Sequence, residues 1–351
     1  MLTPFNSNYK YFKMKCKLCK VREANKKNTH YLTDSIIRTC LNLDGSNNRE
    51  AGFYFDISNN TPFVNFNFQR GTSVVELEKS LGRSATDEEI EKAKQIPFSV
   101  DNVFCSVCEN IFTSIETPFV TNILPRFRQT DLTGIQEIDI PENKIVKLFF
   151  YLQIWRNAIC ENDFVLNEDT LESLRLTILN SSSIENDDLP IFPFHMTYLQ
   201  TTGDEKEYTS NFVGSTNDRN PNIIFLNDFV IQFFETSQAV QKIEFYNLNQ
   251  SDDFDQFIST DNTQVKFKII PNDTRLEILG NIAREEKVQT ALTYFTQNFT
   301  KLWFSIFNGF PHPFIIQEYL NYISARGFNI LQYTEESIIK KTTDYIETKV
   351  K

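Results

Sequence analysis

The chain has 351 residues, 40% of them hydrophobic, and a formal net charge of −11. That length allows a large core and more than one domain, and the acidic balance argues against broad, non-specific coating of nucleic acid. No apolar run opens the chain and none elsewhere is long enough for a membrane span, so neither a secretory leader nor membrane contact is expected; cysteines placed mostly at metal spacing point to a reducing cytoplasm.

Residues 1–30 carry eight basic side chains, among them Lys13, Lys15, Lys17, Lys20, Arg22, Lys26 and Lys27, against the single acid Glu23. Such a patch suits a phosphate backbone, because lysines release condensed counterions on binding it. The competing reading is a solvated surface whose lysines offset nearby thiolates. Within this stretch Cys16 and Cys19 are separated by two residues, and Cys105 and Cys108 repeat the spacing; the two pairs hold four of the six cysteines. A two-residue spacer lets two sulfurs point at one ion, and Zn²⁺ takes four tetrahedral ligands, so one closed four-cysteine structural zinc site is predicted. Disulfides or two separate redox pairs are the alternatives.

Residues 14–45 read as a knuckle, a short hairpin and a helix that starts at Thr33-Asp34 and ends by Gly45. Alternation through Phe53, Phe55 and Ile57 and again through Phe63, Phe66 and Phe68 predicts two strands, with a turn at Asn59-Asn60-Thr61-Pro62. Helices follow at 74–81 and after the capping residue Thr86, the latter stopped by Pro97. The second knuckle leads into a helix from Glu109 to about Thr117, with Pro118 marking its exit. An amphipathic helix is expected over 142–161 and another over 170–179. Beyond a polar loop the pattern changes to strands at 191–199, 210–213, 223–226, 229–234, 242–245 and 265–270, read as an antiparallel sheet with a hairpin turn at Asn227-Asp228. Helices at 288–307, 313–325 and 335–347 complete an α+β chain. The expected organisation is a zinc-binding module over 1–130, a helical connector over 131–185 and an α+β recognition domain over 186–351.

Three histidines occur, and His30 is the one that lies close behind a knuckle. It reads as a general base, a hydrogen-bonded structural histidine or a spare zinc ligand. Glu116 lies seven residues beyond Glu109, two helical turns on, so both carboxylates can face His30 or simply share a solvated face. Cys40 and Cys160 read as small buried hydrophobes, and His195 and His312 receive no role. The Phe-rich segment 294–307 reads as core or a subunit interface. No Gly-rich phosphate loop or Gly-x-Ser-x-Gly elbow is present, so neither a nucleotide site nor a serine-hydrolase site is expected.

The run Cys16…Cys19, Thr29-His30-Tyr31-Leu32-Thr33 and Phe104-Cys105…Cys108-Glu109, with Glu116 beyond it, resembles a group of bacterial HNH-like, treble-clef zinc proteins. Trp155-Arg156 and Leu174-Arg175 resemble that group's later helical signatures, so the similarity covers roughly residues 14–180. It implies a ββα-metal endonuclease in which His30 is the base, Glu109 with Asn102 or Asp101 holds a catalytic Mg²⁺ or Mn²⁺, and the N-terminal lysines contact DNA or RNA. It further implies an effector of anti-phage defence that works with a protein partner or as a homo-oligomer. The chain departs from the pattern where Thr29 replaces an acid, Glu109 replaces His or Asn, and Val100 replaces Asn. These departures favour the alternative, a non-catalytic zinc-stabilised interaction protein. No helix-turn-helix pattern supports a transcription regulator.

Overall fold

In a computed structural model the protein is described at residues 14–39, 53–56, 66–68, 73–162, 164–200, 212–215, 220–249, 253–282, 288–324 and 335–350. Lys13, Cys40 and the expected turn at 59–62 lie outside them. The described chain is mixed α and β. The elements are β1 (Thr29–His30), α1 (Asp34–Thr39), β2 (Phe53–Asp56), β3 (Phe66–Phe68), α2 (Val74–Leu81), α3 (Asp87–Lys94), β4 (Ser99–Val100), α4 (Ser106–Pro118), α5 (Leu124–Arg128) and β5 (Glu137–Ile140). After them come α6 (Asn143–Cys160), α7 (Glu168–Leu179), β6 (Phe194–Leu199), β7 (Phe212–Ser215), β8 (Asn222–Leu226), β9 (Phe229–Phe233), β10 (Ile258–Ser259), β11 (Val265–Ile270), α8 (Asn272–Ile282), α9 (Thr290–Phe307), α10 (Pro313–Ser324) and α11 (Glu335–Val350).

The hairpin expected near the first knuckle is not local. β1 pairs antiparallel with β4, Thr29 opposite Val100 and His30 opposite Ser99, so the chain between them leaves and returns at one point. That excursion contributes β2 and β3, whose expected home was the zinc module, to the main sheet instead: β2 pairs with β7. The sheet runs β3-β2-β7-β8-β9-β6-β11-β5, with β10 against β6. It is mixed rather than antiparallel throughout, since β2–β7 and β11–β6 are parallel. The expected strand at 242–245 is irregular. β8 and β9 already have partners on both sides, so no edge is free for it; Phe245 packs on the sheet face beside Phe225 instead.

Central strands are buried on both faces, which explains their unbroken apolar runs. In β8 and β9, Ile224, Leu226, Phe229, Ile231 and Phe233 join one cluster, while Ile223, Phe225 and Val230 join the other with Phe245 and Ile278. The first cluster is continuous from Cys16 to Ile269. Its axis is α6, expected to be amphipathic but buried on every side between Val146 and Asn157, with Lys147, Gln153 and Arg156 enclosed as well. Pro118 does not end its helix. A π-helical turn, Phe119–Ile123, absorbs the lost hydrogen bond, and the burial of Phe119 and Ile123 keeps the segment helical into α5. The Phe-rich α9 forms a separate cluster with α10 and α11, where Phe299 stacks on Tyr319 at 4.2 Å.

Two buried polar arrangements tie this frame together. Arg128 from α5 forms a two-pronged pair with Asp228 in the β8–β9 turn, at 2.7 Å for each contact, and the neighbouring Asn227 donates to the carbonyl of Ile37 at 3.0 Å. His195 on β6 is fully buried, stacked on Phe254 at 4.9 Å and near Gln232. Burial, assisted by Lys268, lowers its pKa from 6.5 to about 3.

Removing one partner of a buried ion pair strands the other charge. Asp228→Ala is therefore expected to lower the unfolding free energy by about 3 kcal/mol in urea titrations. For His195 the folded pKa is depressed, so the unfolded chain binds a proton between about pH 6.5 and pH 3 that the folded chain refuses. Its stabilising contribution is complete above that window and falls by up to about 1.4 kcal/mol per pH unit on acidification through it. Comparing urea midpoints at pH 7 and pH 5 should show a smaller loss for His195→Gln than for the native chain.

Candidate metal centre and adjoining cavity

The first knuckle is a tight loop. The Cys16 amide donates to the Arg22 carbonyl and the Lys20 amide to the Cys16 carbonyl, both at 2.8 Å, and Lys20 takes a left-handed φ of 56° to close it. The second knuckle opens α4: Cys105 is its N-cap, and Cys108 lies in the first turn, where unpaired backbone N–H groups favour negative charge. Main-chain bonds stitch the two together, from Lys17 to the Val103 carbonyl and from Lys26 to the Phe104 carbonyl, each at 3.0 Å.

The result is that one ligand atom from each of Cys16, Cys19, Cys105 and Cys108 lies within 4.8 Å of the others. Tetrahedral thiolates at bonds of about 2.3 Å stand about 3.8 Å apart, so the four sulfurs fit one Zn²⁺. None of the four is in a disulfide. Burial pushes the Cys16 and Cys108 thiols up. Burial also raises Cys19, but hydrogen bonds from the Arg22 and Val21 backbone, with the thiols of Cys108 and Cys16, outweigh it and bring Cys19 down to about 6. The bare cluster thus favours partial ionisation, and a cation is what lets all four serve as thiolates.

Two arginines brace the knuckle and the histidine strand. Arg175 on α7 donates to the Leu18 carbonyl inside the first knuckle and pairs with Glu172, which also holds Lys20 at 2.7 Å. Arg175, then Lys20, hold the Glu172 carboxyl down at about 2. Arg156 on α6 donates to the His30 carbonyl at 2.9 Å and pairs with Glu116. Thr33 and Gln153 close this network, Thr33 donating to Glu116 at 2.7 Å and Gln153 to Thr33 at 2.7 Å.

A cavity of about 140 Å³ lies between β1, α1 and α4. His30, Asp34, Glu109, Glu116 and Arg156 line it, with Thr29 beside them. His30 Nε2 stands 3.9 Å from Oδ1 of Asp34, four residues on at the start of α1. The structure thus brings His30 together with both Glu109 and Glu116. It does not bring Asn102 or Asp101 there. Asn102 is exposed in a left-handed turn with its amide on the Lys26 carbonyl, and Asp101 accepts from the Asn28 amide at 2.7 Å. Asp34 is the acidic lining residue that sequence reasoning missed; it had been read as the start of a helix, and its i, i+4 spacing from His30 was the signal available. Of the basic residues, Lys15, Lys17, Arg22 and Lys27 are exposed, whereas Lys20 and Lys26 form ion pairs with Glu172 and Glu109. Compared with known proteins, the chain matches no family model, no curated protein and no solved structure. Among the described residues, no helix is long and apolar enough to cross a membrane.

Elemental analysis of the native protein is expected to give one zinc per chain, and Cys105→Ser to lose it. Because metal binding in such sites is folding free energy, the same substitution should cost about 3 kcal/mol or more of stability in urea.

Proposed function

We propose that this chain is a metal-dependent endonuclease of HNH-like type, with the four-cysteine site as a structural zinc of treble-clef form. The observation that carries the reading is the cavity in which His30 on a strand meets the carboxylates of Asp34 on α1 and of Glu109 and Glu116 on α4. The β1–β4 pair, whose Thr29 and His30 line the same cavity as Glu109 and Glu116 of α4, supports a strand-strand-helix module, although its two strands come from distant parts of the chain.

Asp34 and Glu109 offer carboxylate oxygens, which suit a hard divalent cation such as Mg²⁺ or Mn²⁺. Bound there, the ion would hold and polarise the scissile phosphate. The protein's own residues do the rest. His30 Nε2 takes a proton from the attacking water, and Asp34 at 3.9 Å favours the imidazolium that results. Arg156 fixes the His30 main chain and pairs with Glu116 across the cavity wall. Lys15, Lys17, Arg22 and Lys27 meet the nucleic-acid backbone. On the resemblance alone, we place such an enzyme in anti-phage defence under the control of a partner read by the C-terminal half. The second reading, a zinc-stabilised interaction protein without activity, is favoured by the Lys26–Glu109 and Arg156–Glu116 pairs, which neutralise two cavity carboxylates.

Incubation of zinc-loaded protein with plasmid and with RNA, in Mg²⁺, Mn²⁺ or EDTA, separates the two. The nuclease reading expects EDTA-sensitive cleavage that His30→Ala lowers by about 100-fold or more. A phage challenge of cells carrying neighbouring genes covers an enzyme silent without its partner. Cleavage indifferent to His30→Ala, or no cleavage and no protection in either setting, rejects it.

A further inference from the structure

One ion pair stands where a catalytic cation would have to act. Glu109 Oε2 is shielded from solvent, and the Lys26 ammonium lies 3.0 Å from it, close enough for an ion pair but without an aligned hydrogen bond. Lys26 is anchored only by its main chain. Its amide donates to the Phe104 carbonyl at 3.0 Å, and its own carbonyl accepts from the Asn102 amide at 2.7 Å. The side chain beyond that anchor is 43% exposed and does not line the cavity. A second observation comes from Thr29. It is 2% exposed, lines the cavity, and its hydroxyl oxygen has no hydrogen-bond partner. A buried orphan hydroxyl facing a polar cavity marks a place for a ligand oxygen or a cation.

We propose that Lys26 is the exchangeable counter-ion of Glu109: its ammonium occupies the carboxylate until a hard divalent cation displaces it. This rests on the reading of the cavity as a cation site. The physical basis is competition. An ammonium is a compact, strongly hydrated point charge on a flexible stem, so it can neutralise Glu109 and return to water at little entropic cost. It and a divalent ion cannot share one carboxylate oxygen, because like charges at that distance repel. Cation affinity is therefore held down while Lys26 is in place, and the displaced ammonium is freed toward solvent beside the exposed Lys27. Glu109 thus stays charge-paired without metal, while its buried Oε2 is left short of a hydrogen bond that a cation would make good.

The test is Mn²⁺ binding to the zinc-loaded full chain, followed by electron paramagnetic resonance, in which Zn²⁺ is silent. The variants are Lys26→Met, Lys26→Gln and Glu109→Gln, with circular dichroism confirming that each is folded. Both Lys26 variants are expected to bind Mn²⁺ about tenfold more tightly than the native chain, and Glu109→Gln to lose the site. If the native chain and the Lys26 variants bind equally while Glu109→Gln loses binding, the cation site stands and the role of Lys26 is overturned. If no protein binds Mn²⁺, or if Glu109→Gln binds like the native chain, the cation reading at Glu109 fails and the exchange fails with it.

Discussion

Four thiols drawn within 4.8 Å of one another pose an electrostatic problem that shapes the N-terminal half of the molecule. As thiolates they repel; as thiols they are weak ligands and leave polar backbone donors poorly used. Hydrogen bonds inside the knuckle ease the charge on Cys19, whereas burial opposes it at Cys16 and Cys108. A tetrahedral cation would resolve the conflict. Main-chain bonds from Lys17 to Val103 and from Lys26 to Phe104 already hold the first knuckle against the start of α4, and so set the distance between the strand that carries His30 and the helix that carries Glu109.

The remaining geometry is set by helices further along the chain. α6 and α7 each extend one arginine toward the N-terminal segment around the cysteine cluster, Arg156 to the His30 carbonyl and Arg175 to the Leu18 carbonyl. Each satisfies a main-chain acceptor, and each pairs with a glutamate, Glu116 or Glu172. Buried guanidinium groups bound this way cost desolvation but specify one arrangement. The Arg128–Asp228 pair and Asn227 act in the same sense at the far end of α1, so the segment behind His30 is gripped from both sides.

What could be read in the sequence is what depends on local spacing. Paired cysteines announce themselves because a two-residue spacer has few other uses, and Thr86 was legible as a helix cap, which the structure extends to a full capping box with Glu89. The histidine behind the knuckle and the carboxylate after it were legible for the same reason. Non-local pairing was not. β1 has its partner some seventy residues away, and β2 reaches the edge of a sheet built mostly from residues beyond 190. The alternation at Ile243 and Phe245 was real, but it reports burial on a face rather than a strand, and only the occupied edges of β8 and β9 reveal the difference. Arg156 was visible as a signature, but its targets were not, because a side chain's acceptor is set by packing rather than by spacing.

The antiparallel contact between Thr29–His30 and Ser99–Val100 acts as a staple at the neck of a long detour. Since the detour begins and ends at adjacent points, its length is decoupled from the geometry of the sulfur cluster, and closure entropy grows only slowly with added residues. What lies between α1 and β4 can therefore be lengthened, shortened or replaced without moving the histidine or Asp34. The price is paid at the other end, where the detour lends two strands to the sheet: a replacement must still finish that edge or leave β7 open to pairing with another chain.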